Sequence, residues 1–250
     1  MKAIILAGGR ATRLYPVTLY MPKQLMMING YPAIYYIINH CKINGINNFV
    51  MCISDNGLKE HFYNALGNGS HLGTKLTFSV APDYVGTAGR MLGASKFIKD
   101  QDFVVYYGDI ITTFDLKRMI QFHNKLRKQN NCICTIAISS SKLLEFGVCS
   151  QMDGTSKVLE FKERPHMSEI SRFKVNCGIA VCNKRILDHC KKNEDLFRHT
   201  LPRMIKKREF IASYDIQNSF YDIGTYANIE HILSALKKNP DLADLRGISK

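Results

Sequence analysis

A chain of 250 residues with 46% hydrophobic and 22% charged side chains has the balance of a globular protein, large enough for a sizeable core in one α/β domain or two small ones. No apolar run approaches the ~20 residues of a membrane helix, and the run after Lys2 is too short for a signal peptide, so a cytoplasmic location without a membrane partner is expected. The net charge of +13 invites nucleic acid, but the basic residues are spread along the chain, with only short clusters such as Lys191-Lys192 and Lys206-Lys207-Arg208 and no nucleic-acid-binding signature. Nucleic acid is therefore not the expected partner.

Ala3 to Ala7 is an apolar run too short for a buried helix, so it reads as a buried strand, stopped by Gly8 and Gly9. Without a Cβ, these glycines let the backbone turn sharply and bring its N–H groups close to a ligand. Successive N–H groups in such a turn bind anions, and Arg13 and Lys23 add full positive charge, so the expected ligand is a polyphosphate. A Walker A loop needs Gly-Lys-Ser/Thr five residues after its first glycine, and a dinucleotide loop needs G-x-G-x-x-G with an acid about 20 residues on. Neither is present.

Apolar residues at 33, 34, 37, 38 and 41 predict a helix over Pro32 to Asn44. Phe49 to Ser54 predicts a second strand, Leu58 to Leu66 a helix, Gly67 to Ser70 a loop and Leu76 to Val80 a third strand. Such alternation implies a parallel sheet with helices on both faces, whose ligands sit at the carboxyl ends of the strands. Phe103 to Tyr107 is another buried strand, and Gly108-Asp109 follows it directly. A carboxylate there, beside a phosphate loop, is where Mg²⁺ would be held, since Mg²⁺ takes one or two carboxylates plus phosphate oxygens and water. Asp115 then caps a helix to Lys128, and Cys132 to Ile138 gives a strand.

The second half reads as a hairpin turning at Asp153-Gly154, a helix over Leu196 to Lys207, and short strands at Phe210 to Tyr214 and Phe220-Tyr221. Thr225 caps a last helix, Tyr226 to Leu236. The eight cysteines are expected as free thiols, several of them in the core, with Cys132 and Cys134 on one strand face. No C-x-x-C pair or H-E-x-x-H supports zinc.

Leu6-Ala7-Gly8-Gly9-Arg10-Ala11-Thr12-Arg13-Leu14-Tyr15-Pro16-Val17-Thr18, then Pro22-Lys23, resembles the L-A-G-G-x-G-T-R-L-x-P-x-T and P-K signature of the nucleotide-sugar pyrophosphorylases, the sugar-1-phosphate nucleotidyltransferases, with Ala11 in place of glycine. Further segments resemble the same family in the same order: Gly86-Thr87-Ala88-Gly89, Gly108-Asp109, Phe146-Gly147-Val148, Phe161-Lys162-Glu163-Arg164-Pro165, Asn176-Cys177-Gly178-Ile179 and Asp222-Ile223-Gly224-Thr225. The resemblance runs from residue 2 to about 226 and implies a single Rossmann-like nucleotidyltransferase domain over 1–240, with a mostly parallel central sheet. Within it, about 1–140 would be the nucleotide-binding half and 141–240, with a β-hairpin region, the sugar-binding half. A short tail at 241–250 and no C-terminal β-helix complete the expectation.

By the same resemblance, the substrates are a nucleoside triphosphate and a sugar 1-phosphate, and the cofactor is Mg²⁺ on Asp109 and Asp222. Leu6, Ala7, Gly8, Gly9, Thr12, Asp83, Gly86 and Thr87 would hold the nucleotide. Arg13 would stabilise the departing pyrophosphate, and Lys23 would meet the α-phosphate or the sugar phosphate. Gly147, Glu163 and Asn176 would orient the sugar, and either Lys162 or Arg164 would meet its phosphate. The family often reads the base with a Gln or Glu near Ala81 and Pro82; here Asp83 is the nearest acceptor. The Gly86 to Gly89 loop favours GTP and mannose 1-phosphate, and the missing Gln or Glu keeps dTTP, UTP or CTP with glucose 1-phosphate open. A non-catalytic sugar-nucleotide-binding relative is a further alternative, against which Arg13, Lys23, Asp109 and Asp222 all count. A homo-oligomer is left open.

Overall fold

A computed structural model describes residues 1–140, 148–152, 154–163, 174–217, 220–239 and 242, the side chains of 148–152 and 163 excepted. Strand β1 (Ala3–Leu6) leads through three short 3-10 turns to the ribbon β2 (Met27–Ile28) and β3 (Tyr31–Pro32), then to helix α1 (Ala33–Ile43). Next come β4 (Asn48–Ser54), α2 (Lys59–Leu66), β5 (Lys75–Ala81) and α3 (Gly86–Ala94). Strands β6 (Asp102–Tyr107) and β7 (Ile110–Thr112) precede α4 (Leu116–Asn130) and β8 (Cys134–Ser139). The remainder holds β9 (Val148–Met152), β10 (Val158–Glu163), β11 (Lys174–Asn183), α5 (Leu201–Lys206), β12 (Ile211–Asp215), β13 (Phe220–Asp222) and α6 (Tyr226–Lys238). No described helix is long and apolar enough to cross a membrane.

The chain divides into two compact units that interleave in sequence. One, the glycine-loop unit, takes Lys2–Asp83, Tyr106–Thr113 and Phe220–Lys250. The other, the hairpin unit, takes Met1, Tyr84–Val105 and Phe114–Ser219.

In the glycine-loop unit, β1 pairs in parallel with β4, Ala3 opposite Phe49 and Leu6 opposite Cys52, and β4 pairs in parallel with β5. Every residue of β1 is buried, and β4 is buried from Phe49 onward. That is why both read as unbroken apolar runs, as a parallel sheet buried on both faces requires. Helix α1 buries Ile34, Ile37, Ile38 and Cys41, the helical stripe expected from the sequence. Its His40 Nδ1 meets the Tyr106 hydroxyl at 3.1 Å, so a polar pair is satisfied inside the core. Strands β7 and β13 pair antiparallel, with Asp222 opposite Ile110. Thr225 caps α6 as expected, accepting from the Asn228 amide at 3.2 Å.

In the hairpin unit, β9 and β10 form the expected antiparallel pair, while Asp153 at its turn lies outside the described residues. Strand β8 pairs antiparallel with β11 and parallel with β12. Helix α4 is capped by Asp115, which accepts from the Arg118 amide at 2.9 Å, and Asn131 ends it in the left-handed conformation. Buried Asp102 ties three elements together. It accepts from Asn183 Nδ2 at 2.8 Å, pairs with Arg127 Nε at 3.0 Å, and stands 3.7 Å from His123 Nε2, an ion-pair rather than a hydrogen-bond distance.

Two details depart from the sequence-based expectations. The single helix predicted over Leu196 to Lys207 is split into a π turn, Leu196–Thr200, and α5, with Pro202 in the first turn of α5, where its missing N–H costs nothing. Cys132 precedes β8 instead of sharing its face with Cys134, and its thiol donates to the Cys134 carbonyl at 3.2 Å. Cys134 meets Cys182 across the β8–β11 pair instead, with the sulfurs 3.7 Å apart. The seven described thiols are free and buried, as expected of structural cysteines.

Candidate active site

The carboxyl end of β1 builds the candidate active site, entirely within the glycine-loop unit. The Ala7 amide donates to the Cys52 carbonyl at 2.9 Å, which fixes where the chain leaves the sheet, and Gly9 then takes φ 137°. Leu6 and Ala7 are buried beneath the loop. Thr12 and Arg13 begin the short turn Thr12–Leu14, both exposed. Ala11, where the family signature has glycine, takes φ 47° and ψ 45°, the left-handed conformation that costs an L-residue about 1–2 kcal/mol. Two bonds hold it there: its carbonyl accepts from the Leu14 amide and from Thr18 Oγ1, each at 2.9 Å.

Asp109 reaches the loop because residue 108 is glycine. The Gly108 amide donates to the Leu6 carbonyl at 2.9 Å, and a Cβ on Gly108 would lie 3.0 Å from that carbonyl and 3.2 Å from Ala7 Cβ. A side chain would push the two strand ends apart. Lys23, on the turn Lys23–Leu25, then pairs its ammonium with Asp109 Oδ2, both side chains being mostly buried. Asp222 arrives through the β7–β13 pairing, and the Ile223 amide donates to the Asp109 carbonyl at 3.0 Å.

The Asp222 carboxylate accepts from the Gly224 amide and lies 3.5 Å from Asn228 Nδ2. A Cβ on Gly224 would lie 2.5 Å from Asp222 Oδ1 and 2.7 Å from Arg13 Nη2, so glycine is what lets the guanidinium and the carboxylate approach. Burial pushes the Asp222 carboxyl above its ordinary pKa, and the neighbouring Asp109 charge adds to the rise. Lys23, the Gly224 amide and Arg13 act in the opposite direction.

A cleft of about 390 Å³ opens beside the loop, lined among others by Gly9, Arg10, Lys23, Gln24, Asn56 and Asp83. That volume suits a small ligand. Asp83 lies 3.5 Å from Arg10 Nε, so the acceptor singled out in the sequence does face this cleft. Sequence reasoning missed Gln24, which is 3% exposed and lines the cleft beside Lys23. Its place directly after Lys23 was the one signal the sequence carried.

The remaining expected residues belong to the hairpin unit. Gly86 has φ 66°, and a Cβ there would lie 2.3 Å from the Glu194 carbonyl oxygen. Thr87 is engaged within the unit: its amide donates to Asp195 Oδ1 at 3.1 Å, and its Oγ1 accepts from the Leu196 amide at 2.7 Å. Lys162 pairs with Glu160 at 3.2 Å. Asn176 is buried at a bulge, where its Oδ1 accepts from the Gly178 amide at 3.4 Å. Glu163 ends β10 with its side chain outside the description, and Gly147 and Arg164 lie outside the described residues.

Among the described residues no three His, Cys, Asp or Glu side chains group as a metal cluster. Asp109 and Asp222 form a pair, and a pair suffices for Mg²⁺, which completes its sphere with phosphate oxygens and water. Burial first, and then the neighbouring Asp109 charge, raise the Asp222 carboxyl, and a cation held between the two would favour its ionised form.

An anion loop at the end of a parallel strand, faced by two carboxylates and two cations, defines an α/β enzyme that handles phosphorylated nucleotides. The chain belongs to the nucleotidyl transferase family, whose model matches residues 2–239. It is 28% identical to mannose-1-phosphate guanyltransferase of Yarrowia lipolytica, over 96% of this chain and 67% of that one. It is 33% identical to the probable mannose-1-phosphate guanylyltransferase 1 of Oryza sativa, over 90% of this chain and 61% of the relative. To the probable glucose-1-phosphate cytidylyltransferase of Bacillus subtilis it is 29% identical, over 92% of this chain and 93% of the relative. The chain thus spans about two thirds of the guanylyltransferase relatives and nearly all of the cytidylyltransferase one. In fold it matches a crystal structure from Bacillus anthracis, assigned as a glucose-1-phosphate thymidylyltransferase, with a TM-score of 0.82 over 96% of each chain at 22% identity.

Proposed function

We propose that this nucleotidyltransferase moves a nucleoside monophosphate from a nucleoside triphosphate to a sugar 1-phosphate, releasing pyrophosphate. The observation that carries the reading is the meeting of Lys23, Asp109, Asp222 and Arg13 at the glycine loop. In this reaction the sugar phosphate attacks the α-phosphorus in line. The protein's task is then to position two anions and to stabilise charge, and no covalent step is asked of it. Gly8, Gly9 and Thr12 cradle the triphosphate, Arg13 stabilises the departing pyrophosphate, and Lys23 draws the α-phosphate or sugar phosphate into line. Asp109 and Asp222 would hold Mg²⁺, which when bound neutralises and orients phosphate oxygens. Glu163, Asn176 and Gly147 are assigned to the sugar, with Lys162 or Arg164 on its phosphate.

GTP with mannose 1-phosphate is the preferred pair. Asp83 faces the cleft, and a carboxylate there accepts from the ring N–H and amino group of guanine, whereas pyrimidines offer fewer donors. The guanylyltransferase relatives agree with that choice. A second reading, a pyrimidine triphosphate with glucose 1-phosphate, draws on the relative of matching length. Four triphosphates tested against mannose and glucose 1-phosphates, with pyrophosphate release as readout, separate the two. Preference for GTP and mannose 1-phosphate supports the first, preference for CTP, UTP or dTTP supports the second, and no release with any pair sinks both.

A further inference from the structure

We propose that Lys23 is an internal counter-cation of the resting site, holding the divalent ion off Asp109 until a polyphosphate arrives. The proposal rests on the nucleotidyl-transfer reading and extends it to the order in which ligands enter. Lys23 Nζ pairs with Asp109 Oδ2, and the two side chains are only 15% and 17% exposed. Water therefore screens the pair poorly, and charge balance dominates what can enter. The ammonium occupies one of the two Asp109 oxygens and sets a positive charge beside the other, so lysine and metal compete for the same carboxylate.

Charge counting decides the order. Arg13, Lys23, Asp109 and Asp222 face one another and sum to zero in the resting protein. A divalent cation alone would leave the site at about +2, with two fixed cations repelling it. A triphosphate bearing about four negative charges more than offsets the metal's charge when the two arrive together, leaving the site at about −2 and no longer repelling a cation. It also offers Lys23 a second anion. The lysine is suited to the exchange, since its flexible stem carries a compact charge that moves without a fixed hydrogen-bonding plane. Asp222 needs no such partner, because the Gly224 amide and Arg13 already face it. Lys23 therefore leaves Asp109 for phosphate, and Asp109 becomes available to metal only then.

Mn²⁺ binding to the nucleotide-free protein, read by electron paramagnetic resonance or calorimetry, tests the exchange. Lys23→Gln should bind Mn²⁺ at least tenfold more tightly than the unmodified chain, and Lys23→Arg, which keeps the charge, should stay weak. Adding Asp109→Asn to Lys23→Gln should abolish the gain. Equal Mn²⁺ affinity for Lys23→Gln and the unmodified chain overturns the proposal, as does a gain that survives Asp109→Asn. Lys23→Met serves the same comparison if the glutamine variant does not fold. The readout involves no substrate, so its failure leaves the nucleotidyl-transfer reading intact. Absence of pyrophosphate release with every substrate pair would instead sink that reading and leave the metal comparison valid.

Discussion

The Ile223 amide donates to the Asp109 carbonyl at 3.0 Å, and this bond joins two carboxylates that lie far apart in sequence. Asp109 follows a strand in the middle of the chain, and Asp222 ends one near its close. The pair supplies as many carboxylates as a Mg²⁺ ion takes alongside phosphate oxygens and water.

Asp109→Asn keeps the shape of the side chain and removes its charge. Turnover should fall by at least ~10²-fold, the scale on which single charge-stabilising groups act. Excess Mg²⁺ should not restore it. Near-normal kcat at saturating Mg²⁺ would remove Asp109 from the machinery.

Gly224→Ala places a methyl where Asp222 Oδ1 and Arg13 Nη2 now stand, at 2.5 and 2.7 Å. Both must move: Arg13 can swing toward solvent, but the Asp222 carboxylate, bonded to the Gly224 amide, must be displaced as well, so activity should drop at least ~10-fold and some stability should be lost with it. Arg13→Ala should slow the chemical step by ~10²-fold. Single-turnover kinetics separate this from weaker binding, which would appear as a change in KM alone.

Ala11→Gly relieves a left-handed alanine, a gain of about 1–2 kcal/mol, but makes the unfolded chain more flexible, a loss of about 0.4–1 kcal/mol. The balance runs from neutral to stabilising by about 1.6 kcal/mol, a rise of roughly 6 °C in Tm at most for a chain of this size. Activity should be equal or higher. A large loss of activity would show that the methyl itself is needed in the loop.

Burial alone would raise the Asp102 carboxyl, but His123 and the hydrogen-bonding Asn183 amide, helped by the Arg127 charge, hold it below its ordinary pKa of 3.8. A depressed carboxyl contributes stability above its unfolded pKa and loses it as pH falls through the folded value. The chain should therefore lose stability as pH drops below about 4, and Asp102→Asn should flatten that part of the profile. At pH 7 the same variant should cost about 2–3 kcal/mol, because Arg127 loses a buried partner. Denaturant melts at pH 3 and pH 7 give both numbers, and an unchanged acid slope would contradict the assignment.

Local chemistry in this chain was readable, and long-range pairing was not. The turn at Gly8 and Gly9, the Asp115 and Thr225 caps, and Asp109 at a strand end each depend on a few consecutive residues. The meeting of β7 with β13 depends on register between distant segments, which no local pattern encodes. The resemblance marked Asp222 as a metal carboxylate, but the placing of Arg13 beside the space left by Gly224 needed coordinates. Gln24 escaped because burial of a polar side chain is a property of the packed state. The conformation of Ala11 escaped because a single alanine carries no sign of its φ. Thr87 was chosen for the nucleotide, and its bonds to Asp195 and Leu196 depend on a segment more than 100 residues away.

The split make-up of the glycine-loop unit also bears on how the protein is synthesised. Its first segment, Lys2–Asp83, leaves the ribosome long before Phe220–Asp222, the strand that brings the second carboxylate. A growing chain can form the β1–β4–β5 sheet early, with the anion loop in place but Asp109 and Asp222 missing from it. Such a late, non-local closure slows folding and leaves a nascent chain with a basic loop and no acidic counterpart. The site becomes competent only once Phe220–Asp222 has been made and has paired with β7.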